Sequence, residues 1–156
     1  MPLAYRIQKA AFVPTLLQGE GARLYGGRWN PVGMPLVYTS TTPELAMLEV
    51  MVHADGTPLR DLPPLVQVTL DVPDELVETM ASEQLPADWQ QVPAPAGLPY
   101  FLAPRLRPDY SFLAFSLPSV VMPTSPSRNL LLNPAHPHIS RVSIIAVEDH
   151  LFDRRL

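Results

Sequence analysis

Arg28 stands in the stretch YGGRWNPVGMPLVYTS, behind two glycines and ahead of a tryptophan and an asparagine. Gly26 and Gly27 permit close backbone approaches that side chains block. An arginine set there can present its planar fork to a phosphate or a carboxylate. The plain alternative is a tight turn carrying a solvated arginine. Trp29 is either a core anchor or a stacking wall for a flat ring.

Glu49 raises a second question. Leu45, Leu48, Glu49 and Val52 have the spacing of one buried helical stripe. An ionised, unpaired carboxylate inside such a stripe costs several kcal/mol. Either Glu49 pairs with a cation or its charge is used in an opening. Otherwise the stripe is Leu45, Ala46 and Val50, with Glu49 at its wet edge. A third place is LPSVVMPTSPSRNLLLNPAHPHI, where Ser119 sits between Pro118 and two valines, and Asn129, Asn133 and His136 follow with neutral hydrogen-bonding groups. No Gly-x-Ser-x-Gly elbow surrounds Ser119, which argues against a hydrolase nucleophile. His136 and His138 flank Pro137 without a clear third ligand, so no metal site is expected. His53 and His150 read as surface or capping histidines.

The elements that must position these groups can be read more coarsely. Leu3–Ile7, Leu36–Ser40, Leu65–Val72, Ser111–Leu117, Val120–Met122, Leu130–Leu132 and Arg141–Val147 are strand candidates, and LVQVTLDV alternates as a half-buried strand should. STTPELAMLEVMVHADG is the strongest helix: Thr41 or Thr42 can cap it, Pro43 and Glu44 suit its first turn, and Gly56 follows it. Strands outnumber helices without alternating with them, which predicts an α+β fold with a mostly antiparallel or split sheet.

At 156 residues, 47% hydrophobic and 17% charged, the chain suits one soluble domain over residues 1–156. Twenty prolines make long helices unlikely. They are densest from Leu85 to Pro108, read as a surface excursion of the domain in preference to a linker. A net charge of −4 offers no general attraction to nucleic acid or anionic membrane. Absent cysteine removes disulfides and thiolate chemistry. No secretion signal or membrane span is visible, so a cytoplasmic location is expected.

Taken in order, GEGARLYGGRWNPVGMPLVYTS, the helix with LAMLEV, and LPSVV followed by NLLLNPAHP resemble the RES domain, named for its arginine, glutamate and serine. This is the toxin half of bacterial RES–Xre toxin–antitoxin pairs. YRI and LPADW look like the family too, and the resemblance runs from Tyr5 to about Val147. By motif, it implies catalytic roles for Arg28, Glu49, Tyr38 and Ser119, with Ser125 and Ser127 as competitors for the serine. Gly27, Trp29, Asn30, Asn129 and His136 are the implied substrate-binding residues. GLPYFLAPRLRPD, Gly97–Asp109, departs from a Gly-Asp-x-Trp-like stretch common in the family.

The resemblance implies an ADP-ribosyltransferase-like fold: a split, mostly antiparallel sheet with a few short helices. It implies no prosthetic group, NAD+ as substrate, and inorganic phosphate as a candidate co-substrate. The implied reaction splits the nicotinamide–ribose bond, as an NAD+ phosphorylase or glycohydrolase. The alternatives are a mono-ADP-ribosyltransferase acting on a protein and a non-catalytic binding module. The implied partner is a cognate Xre-type antitoxin that occludes the pocket, with no direct nucleic acid or membrane contact. Arg28 and Glu49 should then face a common cavity shaped for a dinucleotide.

Overall fold

The computed structural model describes residues 2–150, 152–153 and 155–156; the side chain of His150 lies outside the described residues. Its strands are β1 (Leu3–Lys9), β2 (Val37–Ser40), β3 (Leu65–Asp71), β4 (Val77–Thr79), β5 (Ala114–Pro118), β6 (Arg128–Leu132) and β7 (Ser143–His150). Two α-helices, α1 (Glu20–Tyr25) and α2 (Pro43–His53), accompany short 3-10 segments such as Ala10–Gln18. The strands form one sheet in the order β4-β5-β6-β2-β1-β3-β7. Every pairing is antiparallel except β4 with β5. This is the α+β architecture that the resemblance implies.

Alternation along β6 divides the apolar side chains between two faces. Leu130 and Leu132 join Ala4, Val37, Val68 and Leu70 in one core, closed by Leu16 from the Ala10–Gln18 segment. Leu131 points the other way, into a second core with Trp29, Leu36, Phe115 and Leu117. The proline-rich excursion packs onto that second core: Leu85, Trp89, Leu98, Leu102 and Leu106 are all buried there. Pro99 and Pro104 stand near the starts of its short 3-10 turns, Leu98–Tyr100 and Ala103–Arg105, while its leucines and tryptophan hold it against β5 and β6.

The sheet is weakest in the middle. β1 and β2 share a single ladder pair, Tyr5 with Ser40, whereas β1 pairs with β3 along its whole length. Beyond that pair, Arg6 Nη1 donates to the main-chain carbonyl of Tyr38 at 2.6 Å, and Arg6 Nε donates to Gln8 Oε1 at 2.7 Å. A buried guanidinium thus replaces part of the ladder, and burial lowers its pKa from the ordinary arginine value.

α2 begins as its sequence dictates. Thr42 Oγ1 accepts from Leu45 N at 3.3 Å, and Pro43 occupies the first turn. The helix ends at His53, and Gly56 takes a left-handed φ of 81° in the turn beyond. Its inner face is Leu45 and Ala46; Val52 is exposed, and Glu49 is half-buried. Glu49 therefore lies at the edge of the stripe, and the wet-edge reading is the one that holds.

Val120–Met122 is not a strand. Ser119 Oγ accepts from Val121 N at 3.1 Å, and this local turn between Pro118 and Pro123 takes the segment out of the sheet. The short strand β4 and helix α1 have no counterpart among the sequence expectations, being too short to show a period.

Candidate active site

Glycine, asparagine and tyrosine build the loop that carries Arg28. Asn30 is fully buried, and its amide nitrogen donates to the carbonyls of Ala22 at 2.8 Å, Met34 at 2.9 Å and Pro31 at 3.2 Å. The Tyr38 hydroxyl donates to Asn30 Oδ1 at 2.6 Å and accepts from Trp29 N at 3.1 Å. That hydroxyl explains Gly27: a Cβ there would lie 2.6 Å from it and 2.9 Å from Asn30 Oδ1. Burial pushes the Tyr38 phenol well above its ordinary pKa, opposed by its bonds to Trp29 and Asn30 and by the charge of Arg28.

Arg28 leaves this loop half-buried. Its Nη1 donates to two main-chain carbonyls of the excursion, Trp89 at 3.1 Å and Gln91 at 2.8 Å. Nε and Nη2 make no hydrogen bond among the described residues, so one edge of the fork remains for a ligand. Burial lowers the Arg28 pKa, while the charges of Glu49 and Tyr38 raise it. Glu49 thus acts on Arg28 through space, and no direct ion pair joins them among the described residues.

Glu49 reaches from α2 to the end of β5. The fully buried Ser119 donates its hydroxyl hydrogen to Glu49 Oε1 at 2.9 Å and accepts from Val121 N. The serine is thereby fixed as an orienting donor, which holds one carboxylate oxygen in place. Ser125 and Ser127 do other work. Ser125 Oγ accepts from Ser127 N at 3.0 Å, and Ser127 Oγ accepts from Thr42 Oγ1 at 3.0 Å. Of the three serines, only Ser119 touches Glu49.

The structure brings Arg28, Tyr38, Glu49 and Ser119 to one face of the sheet, with Asn129 on β6 beside them. Three other candidates are set apart from direct ligand contact. Trp29 is 1% exposed and packs at a tilt against Phe101, with ring centroids 6.2 Å apart. Asn30 spends its amide on the loop. His136 is buried at the opposite end of β6, with its Nε2 on the Tyr110 carbonyl at 2.8 Å and its Nδ1 accepting from His138 N. Asn30 and His136 have found protein partners for their buried polar groups, and Trp29 is a buried ring.

On this face Arg28, Tyr38, Glu49 and Asn129 all retain some exposure. One surface hollow is lined by Asp71, Glu75 and Arg141, and another, lined by Ser82, Leu85 and Trp89, adjoins the stretch that holds Arg28. In Gly97–Asp109, Arg105 Nε donates to Glu78 Oε2 at 3.2 Å and sits over the Phe101 ring, while the exposed Tyr100 points to solvent. Two contributors escaped the sequence. The carbonyls of Trp89 and Gln91 carry no side-chain signal at all. Arg6 left a faint one, an arginine between Ala4 and Gln8 on the inward face of a strand.

No metal-binding group of three or more His, Cys, Asp or Glu occurs among the described residues, and no helix there is long and apolar enough to cross a membrane. Comparison with known proteins gives the same picture as the motifs. The RES domain family model matches residues 3–154. The chain is 38% identical over 140 residues to "Toxin Res" of Pseudomonas putida, covering 90% of this chain and 92% of that protein. It is 35% identical over 145 residues to the "Prs ADP-ribosylating toxin" of a Sphingobium species, covering 90% and 86%. Among solved structures, the M. tuberculosis MbcT–MbcA toxin–antitoxin complex contains a chain matching with a TM-score of 0.70, covering 95% of this chain and 83% of that one. At 20% identity, that likeness concerns the fold.

Proposed function

The chain belongs to the RES domain family, and from that premise we propose that it is a toxin enzyme cleaving the nicotinamide–ribose bond of NAD+. The observation that carries this reading is the 2.9 Å bond from Ser119 to Glu49, made beside an arginine whose pKa the charge of Glu49 raises. Residues from three distant stretches supply one carboxylate, one orienting donor and one free edge of a guanidinium.

Each group has a distinct task. Arg28 grips the pyrophosphate with Nε and Nη2, its remaining amine being held by the excursion. As the C1′–N bond stretches, its electron pair moves to the pyridinium nitrogen and neutralises it. Positive charge develops on the ribose, as in glycoside cleavage. The Glu49 carboxylate stabilises that charge and hydrogen-bonds the ribose hydroxyls. Ser119 keeps the carboxylate aimed, which matters because misplacement by a fraction of an ångström erodes such effects. An oxygen of phosphate or water then forms the new bond to C1′, and a water acceptor releases its proton to solvent.

A specific observation favours a second acceptor. The Sphingobium relative is named as an ADP-ribosylating toxin, and ADP-ribosylation shares the cleavage step while passing the ribose to a protein side chain. Control by a cognate Xre-type antitoxin that covers the site is part of the proposal, supported by the toxin–antitoxin complex among its structural neighbours. The cytoplasm, where NAD+ is found, is the proposed location.

The test is incubation of purified protein with NAD+, with and without inorganic phosphate, followed by identification of the ribosyl product. Nicotinamide release with a 1″-phosphorylated product indicates a phosphorylase, and free ADP-ribose a glycohydrolase. NAD+ left intact at high protein concentration, with no transfer to added protein, overturns the reading.

A further inference from the structure

Strand register places a row of polar side chains under the site. Ser40 pairs with Tyr5 on one side and with Asn129 on the other, and Asn129 pairs with Leu117. Directly paired residues point to the same face. That face belongs to the site, because Tyr38 lies two residues before Ser40 and Ser119 lies two residues after Leu117. The row therefore runs between the arginine end of the site and the carboxylate end.

Two side chains in this row are unusual. Ser40 is 3% exposed, yet its hydroxyl makes no hydrogen bond among the described residues. The half-buried Asn129 amide makes none either. Buried polar groups in native proteins nearly always have partners, so the Ser40 hydroxyl calls for a missing one, and the Asn129 amide stands beside it. Their β-carbons stand about 5 Å apart, as cross-strand partners do, close enough to bond one small group together.

We infer that Ser40 and Asn129 form a subsite for the neutral carboxamide of nicotinamide. The inference rests on the NAD+-cleaving reading above and names the leaving-group end of that site. Its chemistry selects an amide over the other parts of the dinucleotide. The asparagine offers one donor and one acceptor, which an amide matches with one acceptor and one donor. No cation stands in the row to attract phosphate, and Arg28 already serves that end. The position agrees as well, since a leaving group must lie next to the carbon that Glu49 attends.

The test compares nicotinamide with nicotinate, which differ only in the group being read. Binding of each to the full chain is measured by calorimetry, alongside turnover of NAD+ and of nicotinic acid adenine dinucleotide. Wild-type protein should prefer the amide in both assays. Ser40→Ala should weaken nicotinamide binding about 3- to 10-fold, the scale of one lost hydrogen bond, and leave nicotinate unchanged. Asn129→Leu should likewise shrink the amide preference by at least about 3-fold. Melting temperatures identify a misfolded variant, and the nearly isosteric Ser40→Ala stands as the second probe. An amide preference that is absent, or that survives both substitutions, overturns the subsite. Cleavage of NAD+ with no such preference would leave the proposed function standing alone. Selective nicotinamide binding without cleavage would do the opposite.

Discussion

Glu49 and Ser119 can be separated by substitution because one supplies charge and the other supplies aim. Glu49→Gln keeps an oxygen for the Ser119 hydroxyl to donate to, while removing the negative charge. NAD+ consumption should fall at least about 100-fold, the scale of one lost electrostatic stabiliser. A folded variant with near-normal turnover would eliminate the charge-stabilising role. Ser119→Ala does the reverse, keeping the carboxylate and removing its positioning donor. A hydrogen bond to a charged group is worth about 1.5–3 kcal/mol, so kcat should drop about 10- to 100-fold with a smaller change in KM. Recovery of most of that activity in Ser119→Thr, which restores the hydroxyl, distinguishes aim from packing.

At the scale of elements, the glycine–arginine loop and the proline-rich excursion are one construction. Arg28→Lys replaces a fork that serves both a ligand and two carbonyls with a single ammonium. KM for NAD+ should rise, and proteolysis near Trp89 should quicken, while the fold away from that edge keeps its circular dichroism. Unchanged KM would remove Arg28 from phosphate binding. Gly27→Ala pushes a methyl against the Tyr38 hydroxyl and Asn30. It should lower stability by about 1–3 kcal/mol in denaturant unfolding, as overpacking does, and lower activity along with it. The helix α2 was legible because cap, proline and periodic residues agree. Burial of the excursion was not. Leu98, Leu102 and Leu106 recur every four residues, but the intervening prolines break any continuous helix, and the spacing reads as punctuation.

Across the whole molecule, the split between β1 and β2 decides how much could be foreseen. Strand positions other than β4 followed from alternation and turn residues, with Val120–Met122 one strand too many, and the arginine, glutamate and serine were picked out by their motifs. The order β4-β5-β6-β2-β1-β3-β7 did not, because long-range pairing leaves no mark within a single strand. Nor did the wet position of Glu49, which depends on where the sheet ends beneath α2. Tyr38 links this architecture to pH. Its folded pKa is raised, so the neutral phenol favours the native state, and that contribution is lost as pH climbs above the ordinary value of about 10. Tyr38→Phe should therefore be less stable than wild type near neutrality, with the gap narrowing in alkaline solution. A constant gap in urea midpoints across that range would rule out this linkage.

One detail of Arg28 reaches further than its own side chain. A dinucleotide seated on Nε and Nη2 would immobilise the same guanidinium whose Nη1 holds Trp89 and Gln91, positions 61 and 63 residues along the chain. Occupancy would then be written as slowed deuterium uptake in main-chain amides that the nucleotide never meets.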